Sequence, residues 1–454
     1  MSFPERMTPQ ELRASVGLAG IFGLRMLGMF IILPVFALYA QRLDGGHSHT
    51  MVGIALGAYG LTQAFLQVPF GWLSDRWGRK RTIYFGLAIF ALGSFVAAAA
   101  SDISLVILGR VIQGAGAISA AVIALTADLT RDEQRTKAMA IIGMTIGATF
   151  AISMVAGPLL DEVIGVPGIF AMTGILALAA MLVVRFVIPD PPAQARNAGV
   201  PPVPLRTVLR DPQLMRLNYG IFSLHAVLMG LFVVVPFQLQ AHMPSGDHWR
   251  VYLPVMLGSI VLMLPPMLVM ERRGLQRPVF LGAVVTLIAA TVVLGVGGTG
   301  LLPVIAGLLV FFTAFNLLEA TLPSLISRLA PAGAKGAAIG VYGAIQFIGT
   351  FCGAAAGGWL SQHYGAVAVF GFCGALTAIW LLLAVGMRVP AALDTRRYQL
   401  PKMDSQAVSG LKRRLAGVPG VREVMLSGEG VAYLRVDSKG FDEQNVIKLL
   451  AGEG

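Results

Sequence analysis

The stretch Gly71-Trp72-Leu73-Ser74-Asp75-Arg76-Trp77-Gly78-Arg79-Lys80-Arg81 stands between two long apolar segments, about residues 50–72 and 82–100. It places one acidic residue among four basic ones and contains two glycines, which allow the backbone to turn tightly. Apolar runs of membrane-spanning length on both sides of a charged, glycine-containing stretch predict two transmembrane helices joined by a short loop.

The composition of the whole chain is that of a membrane protein. Of its 454 residues, 56% are hydrophobic and 13% are charged, and the mean hydropathy is +0.76, whereas soluble domains carry about 25% charged residues. The net charge of +11 would fit a nucleic-acid partner. However, the basic residues lie in short loops between apolar runs, where membrane topology explains them better. We therefore expect a lipid bilayer around the protein and no nucleic acid bound to it.

About twelve apolar runs are long enough to cross roughly 30 Å of hydrocarbon. Each is predicted to be a helix, because an open sheet cannot satisfy its backbone hydrogen bonds in lipid. The main fold class is therefore an all-α polytopic membrane protein, and the first run is too long for a cleaved signal sequence. The predicted spans are, approximately, 15–40, 50–72, 82–100, 103–129, 137–160, 167–189, 216–240, 250–270, 278–297, 301–328, 336–361 and 366–388.

Basic residues are concentrated in alternate loops. By the positive-inside rule these loops are cytoplasmic, so both termini are predicted to face the cytoplasm. The resemblance described below implies that the cell is bacterial and that the protein lies in its inner membrane. The opposite loops hold little beyond Arg42 and Arg250. The basic set comprises Arg76, Arg79, Lys80, Arg81, Arg131, Arg135, Lys137, Arg196, Arg206, Arg210, Arg272, Arg273, Arg277 and Lys335.

A proline-containing segment divides the spans into two sets of six. Its prolines, in Asp190-Pro191-Pro192 and Pro201-Pro202-Val203-Pro204, stop any helix. We therefore predict an N-terminal six-helix bundle over 1–189, a central cytoplasmic linker over 190–215 and a C-terminal six-helix bundle over 216–388.

A shorter pattern recurs at the ends of three spans. These read Gly71-Trp-Leu-Ser-Asp75 before Gly78, Gly157-Pro-Leu-Leu-Asp161 before Gly165, and Gly358-Trp-Leu-Ser-Gln362 before Gly365. The first two spans end on opposite sides of the membrane, as inverted three-helix repeats require. Chance similarity between glycine-rich helix ends is the alternative.

The composition changes after Arg388. Residues 389–402 are predicted as a polar linker and 403–454 as a small cytoplasmic α+β domain with a ferredoxin-like β-α-β-β-α order. The domain contains no Cys or His, so no metal function is expected, and its partner is not evident. The predicted elements are Tyr398–Leu400, Ser405–Ala416, Val421–Leu426, a Gly428–Gly430 turn, Val431–Val436 and Phe441–Leu450.

The pattern G-x-L-x-D-R-x-G-R-K-R between spans 2 and 3 resembles the loop between helices 2 and 3 of the major facilitator superfamily. With the twelve spans and the tail, the chain resembles drug–proton antiporters of that superfamily. The resemblance implies a conformational latch, in which Asp75 caps the start of helix 11 at residues 333–337 and Arg79 meets Asp128. A merely positive loop is the alternative, but charge alone would require neither Asp75 nor the glycines. The residues of this latch are Gly71, Asp75, Arg76, Gly78, Arg79 and Asp128.

Two more motifs support the resemblance. Arg110-Val-Ile-Gln113-Gly114 in span 4 resembles the superfamily's R-x-x-Q-G motif, which implies a role in proton coupling. Arg110 and Gln113 share one helix face, and the alternative for Arg110 is a structural tie to backbone carbonyls. In span 5, Gly147 with Gly157-Pro158 resembles the antiporter motif, although Leu159 and Leu160 stand where further glycines are expected. Close packing of small residues is the alternative here.

Polar residues within apolar spans are costly and therefore mark candidate functional sites. Those of this chain fall on spans 1, 4, 7 and 10, the helices that line the central cavity of the superfamily that the chain resembles. Span 11 adds two weaker candidates on one face. The predicted cavity residues are Arg25, Arg110, Gln113, His225, Asn316, Glu319, Tyr342 and Gln346.

These observations predict a proton-coupled secondary transporter that exports small amphipathic compounds as a monomer, with Glu319 as the preferred proton carrier. An importer of a small anionic metabolite is an alternative, given Arg25 and Arg110. A non-transporting membrane sensor with the tail as its output is another. We expect no enzyme activity, cofactor or metal, because the sequence has no metal-spaced His/Cys cluster and no phosphate-binding loop.

Overall fold

The computed structural model describes residues 7–190, 205–297, 300–330, 335–387, 393–400, 405–427, 431–437 and 440–451. The chain divides into two compact units. The first comprises Met1–Met267 and Phe280–Arg388, and the second comprises Leu268–Val279 and Val389–Gly454.

The described chain contains ten helical segments that are long and apolar enough to cross a membrane. Two of them are 50 residues long, and each contains a glycine with non-helical backbone angles, Gly165 or Gly365, which divides it into two crossings. Counting these two segments twice gives the predicted twelve spans. Spans 1–6 are called the first half below, and spans 7–12 the second half.

The helices follow one another with short connections. Spans 1 to 6 are formed by α1 (Pro9–Phe30), α2 (Leu33–Ala40), α3 (His49–Trp77), α4 (Arg79–Ala98), α5 (Ile103–Ala115), α6 (Ser119–Asp128) and α7 (Asp132–Phe186). A short α8 (Leu205–Arg210) precedes spans 7 to 12, which are formed by α9 (Pro212–Gln240), α10 (Trp249–Arg273), α11 (Gln276–Val296), α12 (Leu301–Leu329) and α13 (Lys335–Val385). Residues 191–204 of the predicted central linker lie outside the described residues.

The loop between spans 2 and 3 is shorter than the sequence predicted. Helix α3 continues through Asp75 to Trp77 and α4 begins at Arg79, so only Gly78, with φ +102°, lies between them. The predicted turn at Gly71 is wrong, because Gly71 is inside α3. The apolar run marks the edge of the hydrocarbon, whereas the helix continues into the interfacial layer, where tryptophan is favoured.

Spans 1 and 4 were predicted as single helices, and each consists of two. Span 1 breaks between Phe30 and Leu33, just before Pro34, which lacks the backbone N–H needed inside a helix. Span 4 breaks at Gly116, where a side chain would lie 2.4 Å from the carbonyl oxygen of Gly86.

Five described glycines with positive φ lie between consecutive spans, and four of them hold equivalent positions along the three-helix repeats. These four are Gly78, Gly165, Gly274 and Gly365, with φ of +102°, +68°, +64° and +78°, between spans 2 and 3, 5 and 6, 8 and 9, and 11 and 12. Each three-helix repeat thus contains one such joint, as inverted repeats predict. Gly274 was not found from the sequence, because the stretch before it does not match the repeated pattern. Met267 occupies the position at which the other three stretches have their first glycine.

Glycines also allow α3 and the first part of α13 to touch at backbone distance. A Cβ at Gly53 would lie 2.1 Å from the carbonyl oxygen of Ala354, and one at Gly57 would lie 2.9 Å from the Cα of Phe351. Backbone atoms cannot move away without moving the whole helix. The contact between these two spans therefore depends on the missing side chains.

The C-terminal elements are β1 (Leu393–Gln399), α14 (Ser405–Ala416), β2 (Val421–Ser427), β3 (Val431–Asp437) and α15 (Glu443–Ala451). The strands form an antiparallel sheet of order β1-β3-β2. This is the predicted β-α-β-β-α element order, but β1 runs from Leu393 to Gln399 and so occupies half of the predicted 389–402 linker. The predicted Gly428–Gly430 turn lies outside the described residues. A buried cluster includes Leu411, Leu415, Val424, Leu434, Val436 and Val446.

Replacing Gly53 by alanine tests the glycine contact between spans 2 and 11. We expect Gly53→Ala to destabilise the protein by about 1–3 kcal/mol, because the added methyl group overlaps the backbone of α13. The control is Gly282→Ala on α11, where a Cβ would meet no atom within 4 Å. It should be neutral or stabilise by up to about 1 kcal/mol. Thermal unfolding of the purified proteins in detergent measures both, and equal losses of stability would contradict the prediction.

Candidate functional site

Three residues of the predicted latch, Asp75, Arg79 and Asp128, meet where α3, α4 and α6 end or begin. Arg79 Nε lies 3.0 Å from Asp128 Oδ2, and a second guanidinium nitrogen donates to Asp75 and to the hydroxyl of Ser74, the latter at 3.1 Å. Arg79 and Asp128 are mostly buried, with 18% and 16% of their side chains exposed. The contact between Arg79 and Asp128 that the resemblance implied is therefore present.

Asp75 is 64% exposed, and its ion-pair partner is Arg79, four residues along the chain. The cap that the resemblance implied for Asp75 involves residues 333–337, of which 333 and 334 lie outside the described residues. Arg76 is not part of the cluster, since its guanidinium group lies over the ring of Trp72, 4.5 Å from the ring centre. A Cβ at Gly71 would lie in ordinary contact with Ala120, at 3.5 Å.

Contacts between the two halves distinguish the two ends of the membrane part. We call the end that carries Asp75, Arg79 and Asp128 the basic end, and the end that carries His49 the histidine end. At the histidine end, His49 of α3 contacts both α13 and α9 of the second half. Towards the basic end the contact of α3 with α13 extends to Gln67, whose Nε2 donates to the carbonyl of Gly340 at 3.1 Å. Beyond it, a Cβ at Gly336 would meet no atom within 4 Å. Among the described residues, the contacts between the halves therefore run from the histidine end along α3 as far as Gln67.

Arg25 is buried between three spans of the first half. Its guanidinium group donates to the Gln63 side-chain oxygen and to the hydroxyl of Ser119. Only 2% of Arg25 is exposed, and both partners are buried as well. Neither Gln63 nor Ser119 was singled out from the sequence. Gln63 lies on span 2, outside the spans on which the cavity was expected, and a serine within a span gives a weaker signal than an arginine.

Arg110 of span 4 also lies in the first half, near Arg25. It donates to the Gln113 side chain at 2.8 Å and to the carbonyl of Gly28 at 3.3 Å. Both arginines lie over the ring of Tyr59, with their guanidinium carbons 5.8 Å and 4.9 Å from its centre. Among the described residues the hydrogen bonds of both go to neutral groups, and no carboxylate pairs with either. The first half therefore holds two buried positive charges.

In the second half, three predicted residues from three helices come together. His225 Nε2 lies 2.8 Å from Gln346 Nε2 and 3.9 Å from Glu319 Oε2. His225 is 3% exposed, whereas 31% of the Glu319 side chain is exposed. This cluster, His225, Glu319 and Gln346, is called the carboxyl–imidazole cluster below. The carboxyl group of Glu319 and the imidazole of His225 can each bind and release a proton, and the amide of Gln346 can orient the imidazole.

Two further predicted residues of the second half are placed differently. Asn316 donates to the hydroxyl of Ser259 in α10 at 3.0 Å, so its described bond does not join it to the cluster. Tyr342 is buried, with 6% of its surface exposed. The sequence identified both as polar, but their partners depend on how α10, α12 and α13 pack.

The glycines of the predicted antiporter motif have different surroundings. A Cβ at Gly157 would lie 2.5 Å from the carbonyl oxygen of Ile31 and 2.8 Å from Pro34, so Gly157 lets α7 approach the break in span 1. A Cβ at Gly147 would meet no atom within 4 Å. The close helix approach that was predicted at Gly147 is therefore absent in this conformation. Helix α7 continues through Pro158 as far as Gly165.

An aromatic cluster that the sequence did not reveal joins the two halves. Phe150 of α7 lies 5.0 Å from Phe30 and 5.7 Å from Phe315 between ring centres. Phe315 in turn lies 5.9 Å from His225. The carboxyl–imidazole cluster is therefore in contact with an aromatic surface. Phenylalanine is so common in apolar spans that no sequence pattern distinguishes these residues.

Comparisons with known proteins agree with this architecture. The family model of the Major Facilitator Superfamily matches residues 18–351 and 251–419. The chain is 44% identical to the inner membrane transport protein YajR of Escherichia coli (strain K12), over 96% of each chain. It is 25% identical to multidrug resistance protein 2 of Bacillus subtilis (strain 168), over 80% of this chain and 94% of that protein.

Among solved structures, the fold is similar to a bacterial homologue of the human lysosomal transporter Spinster in an inward-facing and occupied conformation. The TM-score is 0.67 at 14% identity, over 84% of this chain and 96% of that one. The family model covers more than half of the chain, and the relative from E. coli matches nearly all of it. The chain therefore belongs to the Major Facilitator Superfamily of membrane transporters.

Proposed function

We propose that the protein is a proton-coupled antiporter that exports small amphipathic compounds from a bacterial cell by alternating access. The carboxyl–imidazole cluster carries this proposal. It places a carboxyl group and an imidazole within 4 Å of each other, inside the membrane part and on different helices. In a transporter, such a pair can couple the movement of a proton to the packing of the helices that hold it.

Glu319 is the preferred proton carrier because, of the two titratable members of the cluster, it is the one that reaches accessible space. Among the described residues, His225 is the only group that can be positively charged within 4 Å of its carboxylate. A carboxylate in these surroundings is costly unless a cation or a proton neutralises it. Uptake of a proton at Glu319 and binding of a substrate beside it therefore compete, which is the requirement for exchange.

The direction of transport follows from the orientation that we propose. The basic end carries most of the loop arginines and lysines, so by the positive-inside rule it faces the cytoplasm, as do both termini. We propose that in the described conformation the halves are separated towards this end, beyond the contact of Gln67 with Gly340. The site would then receive its substrate from the cytoplasm and release it on the opposite side, as export requires.

The chemistry around the cluster supports an amphipathic substrate. Phe315 beside His225 and Phe150 across the boundary between the halves offer flat apolar surfaces. Glu319 offers a polar contact next to them. The relative named as a multidrug resistance protein in Bacillus subtilis is consistent with such substrates.

A second candidate function is proton-coupled import of a small anionic metabolite. The observation in its favour is the pair Arg25 and Arg110, whose buried charges have no carboxylate partner among the described residues. An anionic substrate would neutralise them. Uptake of labelled organic acids into proteoliposomes distinguishes this function from export of amphipathic compounds.

Replacing Glu319 by glutamine tests the coupling site. The amide keeps the size and hydrogen bonding of the side chain but cannot release a proton. We expect Glu319→Gln to bind substrate and to exchange it down its own gradient. Concentrative transport driven by a pH gradient should fall at least about tenfold, the loss expected when a group that acts in proton transfer is removed. Transport in proteoliposomes with and without an imposed pH gradient measures both activities.

His225→Gln is the matched variant for the rival proton carrier. It should retain more pH-driven transport than Glu319→Gln, because His225 lies behind Glu319 and is nearly inaccessible. If His225→Gln loses coupling while Glu319→Gln pumps normally, the histidine carries the proton. If both pump normally, the cluster does not couple transport to protons, and the main proposal is wrong.

The latch residues give a separate prediction about conformation. We propose that Asp75 stabilises the form closed at the basic end by capping span 11, a contact worth roughly 0.3–1 kcal/mol. The pair of Asp75 with Arg79 lies within the first half and is therefore present in both conformations. Asp75→Asn should thus favour the form open at the basic end, by up to about fivefold in population.

Distances between spin labels across the basic end measure this shift. Asp190→Asn is the control, because Asp190 is an exposed acid at the same end whose ion-pair partner is Lys80 of the same half. It should leave the populations unchanged. Equal populations in the wild-type protein and Asp75→Asn would show that Asp75 has no latch role.

A further inference from the structure

Two stretches of the chain share the sequence Gly-Trp-Leu-Ser, and in both the next residue is polar. A glycine with positive φ follows that polar residue three positions later. One runs from Gly71 to Asp75 and the other from Gly358 to Gln362. The first ends span 2 at the basic end, and the second ends span 11 at the histidine end. Asp75 and Gln362 therefore hold equivalent positions at opposite ends of the membrane part.

The side chain of Gln362 caps the start of α3. Its Oε1 atom accepts hydrogen bonds from the backbone N–H of Thr50 at 3.0 Å, the hydroxyl of Thr50 at 2.7 Å and the hydroxyl of Ser48 at 2.8 Å. Because α3 begins at His49, the N–H of Thr50 is one of the four that have no partner within the helix. The partial positive charge of a helix N-terminus favours an acceptor at this place.

Three further contacts surround the cap. His49 Nδ1 lies 2.9 Å from the hydroxyl of Ser361, and its ring stacks on Phe237 of α9, with 5.2 Å between centres and an interplanar angle of 11°. A Cβ at Gly358 would lie 2.3 Å from the carbonyl oxygen of His49, so this approach requires glycine. All these contacts join the first half to the second.

We propose that Gln362, together with Ser48, His49, Thr50 and Ser361, forms a second latch, which holds the histidine end shut and stabilises the described conformation. The proposal rests on the alternating access of the proposed function. When the halves rock, α3 and α13 separate at this end and the hydrogen bonds of Gln362 break. Asp75 and Gln362 thus act in opposition, each capping the span that carries the other.

Two substitutions of Gln362 are expected to change the ratio of closed to open forms in opposite directions. Gln362→Ala removes the acceptor and should lower the ratio of the form closed at the histidine end to the form open there by about threefold to tenfold. Gln362→Glu keeps the acceptor oxygen and adds a negative charge at the helix N-terminus. It should raise the same ratio by about twofold to fivefold. A contact that acted only through packing would be weakened by both substitutions.

Double electron–electron resonance on the full chain measures the populations. Spin labels at positions 41 and 240 report the histidine end, and labels at 81 and 327 report the basic end, after replacement of the two native cysteines. The control is His363→Ala, the next residue, which is exposed and whose described hydrogen bond goes to Trp359 of its own helix. It should leave the ratio unchanged. Ser48→Ala and Thr50→Val remove donors from the other side of the latch and should shift the ratio in the direction of Gln362→Ala.

An unchanged ratio in Gln362→Ala, or a lower ratio in Gln362→Glu, would overturn the proposal. If Gln362→Ala does not fold, an unchanged ratio in both donor variants would overturn it equally. The measurement needs neither substrate nor a proton gradient, so an error in the choice of Glu319 leaves it unaffected. A single distance at each end of the wild-type protein under all conditions would instead contradict alternating access itself.

Discussion

The structure of the membrane part depends on one constraint, which is that hydrocarbon offers no partner to a polar group. Every span is therefore helical, and hydroxyl groups inside the spans donate to carbonyls of the preceding turn, as Thr126 does to Val122 and Thr313 to Leu309. Longer polar side chains find partners on neighbouring helices instead. Since lipid is as apolar as a leucine side chain, the helices associate through close contact, and glycines supply that contact between α3 and α13.

Much of the fold could be predicted from the length and spacing of the apolar runs. They gave the number of spans, because the thickness of the bilayer sets the length of a span. The repeated glycine-containing stretches separately included three of the four glycines of the joints. The ends of helices could not be located from the apolar runs, since α3 extends to Trp77 beyond its apolar run. The breaks within spans 1 and 4 were also missed, and the close approach of Gly116 to Gly86 depends on how spans 3 and 4 pack.

The individual polar residues of the candidate site were predictable, but their grouping was not. A charged residue in an apolar span is conspicuous, so Arg25, Arg110 and Glu319 were found from the sequence. The meeting of Glu319 with His225 and Gln346 depends on the packing of α9, α12 and α13, which no spacing within one helix specifies. The aromatic rings beside them give no signal, because in a membrane protein they resemble every other apolar residue.

The two buried arginines have a consequence for the energetics of transport. Arg25 and Arg110 carry permanent positive charges within one half, enclosed by neutral groups. A membrane potential does work of about 2.3 kcal/mol per 100 mV on a unit charge that crosses the whole field. In the alternating access that we propose, water enters from the opposite end when the halves rock, and the potential drop is redistributed along the protein. The two charges stay in place, but the fraction of the membrane potential that acts on them changes. The electrical potential would therefore bias the conformational equilibrium even if the proposed exchange of substrate for protons moved no net charge.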